Sequence, residues 1–176
     1  TQPNRVISAS RRLDMVATQP DHLSETLQKR ALPEAVHSVV LWTKNPANIL
    51  QNESLRTCLL EYDQLFLHFT VTGLGGTLLE PGVPPPDQVL SFLPALIGFL
   101  GDPRRIRIRF DPVIKVQLPD GSFVSNFEYF EQLAAVIANY GIKEVSTSWV
   151  QVYDKVRRRM AQHQLRIIEP GLEERD

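Results

Sequence analysis

Short runs of alternating apolar and polar residues are separated by stretches with helical apolar spacing. The sharpest alternation is Ile106-Arg107-Ile108-Arg109-Phe110-Asp111, followed by Pro112. In a strand, Ile106, Ile108 and Phe110 face one way and Arg107, Arg109 and Asp111 the other. Pro112 cannot donate to a ladder, so the pattern ends the strand there. Four more runs read as strands: Arg5–Ser10, Val36–Trp42, Gln64–Thr72 and Glu144–Val150. Between them the spacing predicts helices over Asp21–Leu32, Asn52–Tyr62, Asp87–Leu100 and Phe127–Tyr140, with a basic helix over Val152–Gln164. Asp21, Asp87 and Asn126 are the expected caps, and Gly141 the C-terminal stop. Pro94 should bend its helix. Pro119-Asp120-Gly121 marks a hairpin turn in an excursion from the main pattern, and Ile167-Ile168 begins a further short strand.

Strands and helices in strict alternation predict an α/β domain with a parallel sheet and right-handed crossovers. An open doubly wound sheet buries both faces, and its strands read as continuous apolar runs. Here one face carries Ser8, Ser10, His68, Thr70, Thr72, Arg109 and Asp111. A barrel wall suits this better, apolar toward the helices and polar toward the lumen. Eight units need about 250 residues, so 176 residues give a partial or truncated TIM-type barrel. Residues 1–168 form this single domain, and the acidic stretch 169–176 is expected to fray.

Composition adds mainly exclusions. The formal net charge of -1 offers no general attraction for nucleic acid. Arg104-Arg105 and Arg157-Arg158-Arg159 are local basic groups, which leaves a nucleic-acid-binding module as a minor alternative. No apolar run is long enough for a membrane helix. The single Cys58 excludes internal disulfides and a cysteine-ligated cluster held by this chain alone, and it suits a cytoplasmic setting. Cys58 sits on an apolar helical stripe and reads as inert. Thr1 in place of Met points to processing or trimming.

Polar residues collect where strands end, the rim at which barrels place their chemistry. Ser10, Arg11, Arg12 and Asp14 follow the first strand, and Lys44 and Asn45 the second. Thr72 closes the third, Arg109 and Asp111 the fourth, and Ser148 the fifth. Cations with hydroxyls suit a carboxylate or phosphate, with Arg109 and Lys44 holding the anion and Asp111 orienting Arg109. Asp111 and His68 are the catalytic candidates, His68 as a general base if a carboxylate such as Asp111 lies in reach. Arg107, deeper in the wall, reads as structural. Gly73-Leu74-Gly75-Gly76 lacks the helix that a dinucleotide loop requires. No residue pattern identifies a metal site.

Several motifs in order carry a resemblance: Ser8-Ala9-Ser10-Arg11-Arg12-Leu13-Asp14, Trp42-Thr43-Lys44-Asn45-Pro46, Phe69-Thr70-Val71-Thr72-Gly73 with Glu80-Pro81, Arg109-Phe110-Asp111-Pro112-Val113, and Val150-Gln151-Val152-Tyr153 with Lys155 and Arg158. From about residue 6 to 160 the chain resembles the prokaryotic family called domain of unknown function 1848. The family usually has Thr where Leu13 stands, and its first two motifs lie further apart. Its longer members continue into a cysteine cluster similar to that of radical S-adenosylmethionine enzymes, which this sequence does not contain. The resemblance implies a barrel-like enzyme relative, with an iron–sulfur cluster and S-adenosylmethionine expected only in longer relatives. The leading expectation is a barrel-type domain binding a small anionic ligand in a polar lumen, with catalysis left open. The alternative is part of an iron–sulfur protein whose cluster-binding region lies elsewhere. The open edge of the sheet leaves room for a homodimer.

Overall fold

The computed structural model describes residues 5–169. Five strands form one parallel sheet: β1 (Arg5–Ala9), β2 (Val36–Thr43), β3 (Leu65–Thr70), β4 (Ile106–Val113) and β7 (Val145–Trp149), side by side in chain order. The order decides the architecture. A doubly wound sheet reverses its strand order at a switch point, which sends helices to both faces. Unreversed order with crossovers of one hand keeps the helices on one face and leaves the other open. The sheet curls into a half-barrel.

Among the described residues, seven α-helices precede β7. They are α1 (Met15–Thr18), α2 (Pro20–Arg30), α3 (Ala47–Gln51), α4 (Glu53–Leu59), α5 (Pro86–Leu90), α6 (Leu93–Leu100) and α7 (Tyr129–Asn139). They bury Leu23, Leu27, Leu55, Leu59, Leu93, Leu96, Leu133 and Ile137 against Leu41, Leu67, Phe69, Ile108 and Phe110 of the sheet. The alternation of β4 is therefore oriented as its pattern predicts: the isoleucines and phenylalanine face the helices, and the arginines the open side. The last helix, α8 (Asp154–Gln162), lies against β8 (Arg166–Ile168) rather than returning over the wall. Val145 at the sheet edge accordingly stays exposed.

The excursion after β4 is an antiparallel hairpin of β5 (Lys115–Gln117) and β6 (Phe123–Ser125), turning at Gly121 with φ 84°. β8 pairs with β5 and makes this a second sheet of three strands. Its small core comprises Leu74, Ile114, Val116 and Leu165. The strand expected at Ile167-Ile168 thus closes the hairpin instead of extending the barrel. Of the expected acidic tail, residues 170–176 lie outside the described residues.

Several boundaries differ from the pattern, each for a local reason. β4 continues through Pro112 to Val113, with its register interrupted between Phe110 and Val113. The missing N–H falls within that interruption. The Asp21–Leu32 helix begins at Pro20 with Gln19 as cap, since proline is favourable at a first helical position. Likewise α5 begins at Pro86 behind Pro85, and Asp87 falls in its first turn. Pro94 starts a new helix rather than bending one, and divides Asp87–Leu100 into α5 and α6. Asn52 caps α4, accepting from Leu55 N at 2.8 Å.

Asn126 is not the cap of α7, which starts at Tyr129. Its buried amide instead receives Ile114 N–H at 2.8 Å and donates to the carbonyls of Thr72 and Pro112 at 2.8 and 3.0 Å. One side chain therefore ties together the ends of β3 and β4 and the start of the hairpin. Gly141 closes α7 as expected, with φ 74°.

Candidate active face at the strand ends

In-register parallel pairing stacks the open-face side chains in rows across the wall. Trp42 lies beside His68 and His68 beside Arg107; one step along, Thr70 lies beside Arg109 and Arg109 beside Ser146. Trp42 anchors the first row. Its indole N–H donates to Ser8 Oγ at 2.9 Å, and its ring stacks on His68 with centroids 3.9 Å apart and planes 19° apart. The guanidinium carbons of Arg109 and Arg11 lie 4.9 and 5.4 Å from the same indole centroid, within cation–π range.

Two carboxylates close the rim, each held by a cation and a hydroxyl. Asp111 pairs with Arg109 and receives the Ser148 hydroxyl, and Arg109 also donates to Thr70 Oγ1 at 3.4 Å. Glu80, in the long loop after β3, pairs with Lys44 and receives the Thr72 hydroxyl at 2.6 Å. The loop is held close to the strand end by two glycines. Gly73 has φ 77°, and a Cβ there would come within 2.6 Å of the Tyr129 ring. A Cβ on Gly75 would come within 2.1 Å of the Pro84 carbonyl oxygen. Beside the carboxylates opens a cavity of about 460 Å³ lined by Glu80, Asp111, Ser148, Trp149, Tyr153 and apolar side chains including Leu74, Ile114 and Met160.

His68 is the half-buried imidazole of this face. Its pKa is lowered by burial first, then by the positive charges of Arg107, Arg109 and Arg11, while Glu144 opposes the shift. The imidazole is thereby biased toward its neutral form. Its Nδ1 is buried with no hydrogen-bond partner among the described residues. Among those residues it does not pair with Asp111, whose carboxylate is taken up by Arg109 and Ser148. Arg107 donates to Glu144 Oε2 at 2.8 Å in an exposed pair.

The expected site residues divide into two groups, with Arg12 in neither. The structure brings Arg109, Asp111, Ser148, Lys44, Thr72, His68 and Arg11 to one face. Asp14, Ser10 and Asn45 hold backbone nearby. Asp14 caps α1 through Ala17 N at 3.1 Å and receives Lys44 N at 2.7 Å and the Thr43 hydroxyl at 3.0 Å. Ser10, with φ 70°, donates to Leu13 O at 3.1 Å and accepts from Val16 N at 3.3 Å. Asn45 Oδ1 receives Ala47 N at 3.2 Å. Arg12 is exposed. Sequence reading did not place Trp42 or Glu80 at the site. Trp42 was open to placement, because it shares the parity of Val40 and Ser38 on its strand. Glu80 was not, because nothing in a loop fixes which strand end it returns to. Arg157, Arg158 and Arg159 are exposed on α8, and Arg157 pairs with Glu169 at 3.7 Å. Among the described residues no group of three or more His, Cys, Asp or Glu is arranged to hold a metal ion, and no helix is long and apolar enough to cross a membrane.

The family model called Domain of unknown function (DUF1848) matches residues 11–175, nearly the whole chain. The chain belongs to this family. Comparison with curated proteins and with solved structures gave no match. The features at this DUF1848 rim — Arg11, the Trp42-to-Asn45 turn, Glu80, Arg109-Asp111 and Ser148 — all lie inside the matched span. The half-barrel is thus the architecture on which this member of the family carries them.

Proposed function

We propose that this domain binds a small anionic ligand on the open face of the half-barrel, at the C-terminal ends of its strands. The observation that carries the reading is the pair of guanidiniums, Arg109 and Arg11, placed over one indole. Arg11 makes no ion pair among the described residues, so its charge remains for a ligand. Arg109 is oriented by Asp111 and Thr70, and Lys44 stands across the rim on Glu80. Cation–π contact with Trp42 restrains both guanidiniums and lowers the ordering cost of binding an oxyanion through paired N–H donors.

Titration calorimetry with orthophosphate and with malonate at low ionic strength tests this. Binding should weaken roughly tenfold or more for Arg109→Ala and for Arg11→Ala, the loss of one charge-assisted contact each. Absence of heat with both anions, or variants that bind like the parent, would refute it.

A further inference from the structure

The cavity beside the arginines presents carboxylates, not cations. Asp111 and Glu80 line it, while their partners Arg109 and Lys44 lie at its border, outside the lining. The charge of each carboxylate is therefore matched by a cation outside the cavity lining. A carboxylate accepts about four hydrogen bonds. Asp111 receives Arg109 and Ser148, and Glu80 receives Lys44 and Thr72. Each retains acceptor capacity for a ligand in the cavity it lines.

A ligand filling this space displaces water from two half-buried carboxylates and must supply donors in its place, because acceptors it buries unmatched are costly. It cannot place a second anionic group against them. A cationic donor is disfavoured, because both charges are already matched. Neutral hydroxyls on an apolar frame meet these requirements. Trp149 and Tyr153, with Leu74, Ile114 and Met160, also line it and give the carbon frame apolar contact. At about 460 Å³ the cavity falls in the range of small-molecule sites. Resting on the anion site proposed above, we infer that the ligand is an anionic polyol such as a sugar phosphate: its charged group meets Arg109 and Arg11, and its hydroxyls meet Asp111 and Glu80.

The test compares orthophosphate, glucose 6-phosphate and glucose by calorimetry on the full chain. The sugar phosphate should bind roughly tenfold or more tightly than orthophosphate, the gain from hydroxyls donated to charged acceptors. Glu80→Gln should remove most of that advantage, read as the ratio of sugar phosphate to orthophosphate affinity in the same variant. Tyr153→Ala provides a second variant, since Tyr153 is exposed and its loss should not impair folding. It should weaken the sugar phosphate only. If glucose 6-phosphate binds no more tightly than orthophosphate, or if both variants keep the preference, the polyol assignment is overturned and the anion site stands. If neither anion binds, both fall.

Discussion

The ring of Trp42 lies on that of His68, with centroids 3.9 Å apart, and this contact joins the second strand to the third on the open face of the wall. The same indole is bonded to Ser8 and approached by Arg11 and Arg109. Four elements of the site therefore meet at one side chain. Trp42→Ala should cost roughly 2 kcal/mol, from the lost aromatic pair and cation–π contacts. Trp42→Phe should recover about half of that, since it keeps a ring but loses the N–H donor. Urea denaturation of the two variants checks both values.

His68 sets a sign for the pH dependence of stability. Its folded-state pKa lies below the ordinary value of 6.5, so the unfolded chain binds the proton more readily. Stability from this group is fully present above 6.5 and falls as the pH drops from 6.5 toward the lowered folded-state pKa. His68→Gln should flatten that part of the profile. Denaturation midpoints of parent and variant between pH 7 and pH 5 decide the point. Parallel profiles would assign the slope to other groups.

Asn126 makes three side-chain hydrogen bonds in a buried position. Asn126→Ala should destabilise by roughly 3 kcal/mol, because Ile114 N–H and two carbonyls lose their partner away from water. The exposed Arg107–Glu144 pair offers a contrast: Glu144→Ala should change stability by less than about 0.5 kcal/mol. Thermal unfolding of the two single variants checks the difference.

Two glycines should respond in opposite directions. Gly73→Ala meets the Tyr129 ring at 2.6 Å with a positive φ of 77°, and should cost roughly 2 kcal/mol or more while displacing the Glu80 loop. Gly98 lies within α6 with open space at its Cβ position, and Gly98→Ala should stabilise by about 0.5–1 kcal/mol. A stabilised Gly73→Ala would contradict the packing of the loop on Tyr129.

Cys58 should resist thiol reagents in the folded state. It is buried between helices, with Sγ 3.7 Å from Ser24 O, and burial followed by the charge of Glu61 pushes its pKa up to about 11. Little thiolate exists at pH 8. Labelling with an aromatic disulfide reagent should be slow in buffer and become rapid in denaturant.

The alternation of β4 carried most of what the sequence could express. A row of Ile, Ile and Phe opposite Arg, Arg and Asp determines which face meets helices, and the same parity on β2 and β3 repeats it. The half-barrel followed from those faces and from the chain length. Pairs such as Arg109 with Asp111 lie two residues apart on one strand, so spacing alone suggested them. The Lys44–Glu80 pair spans 36 residues and depends on a loop path set by Gly73, Gly75 and the prolines. Asn126 looked like a helix cap because capping and bridging use the same amide chemistry; only the fold brings the Thr72 and Pro112 carbonyls to it. The helix starts at Pro20 and Pro86 yielded to proline geometry over the acidic residue one place later.

The unreversed order of the five strands also bears on how the wall is made. Each wall strand has its predecessor as a neighbour, so every step closes a loop no longer than one connecting segment. Local closures of this kind carry the smallest entropic barriers, and a chain emerging from its N-terminus meets each partner already in place. Among the described strands only β8 must reach back past α7, β7 and α8 to the hairpin strand β5. The wall can therefore assemble in the direction of synthesis, with the small second sheet closing last over the end that carries the polar rim.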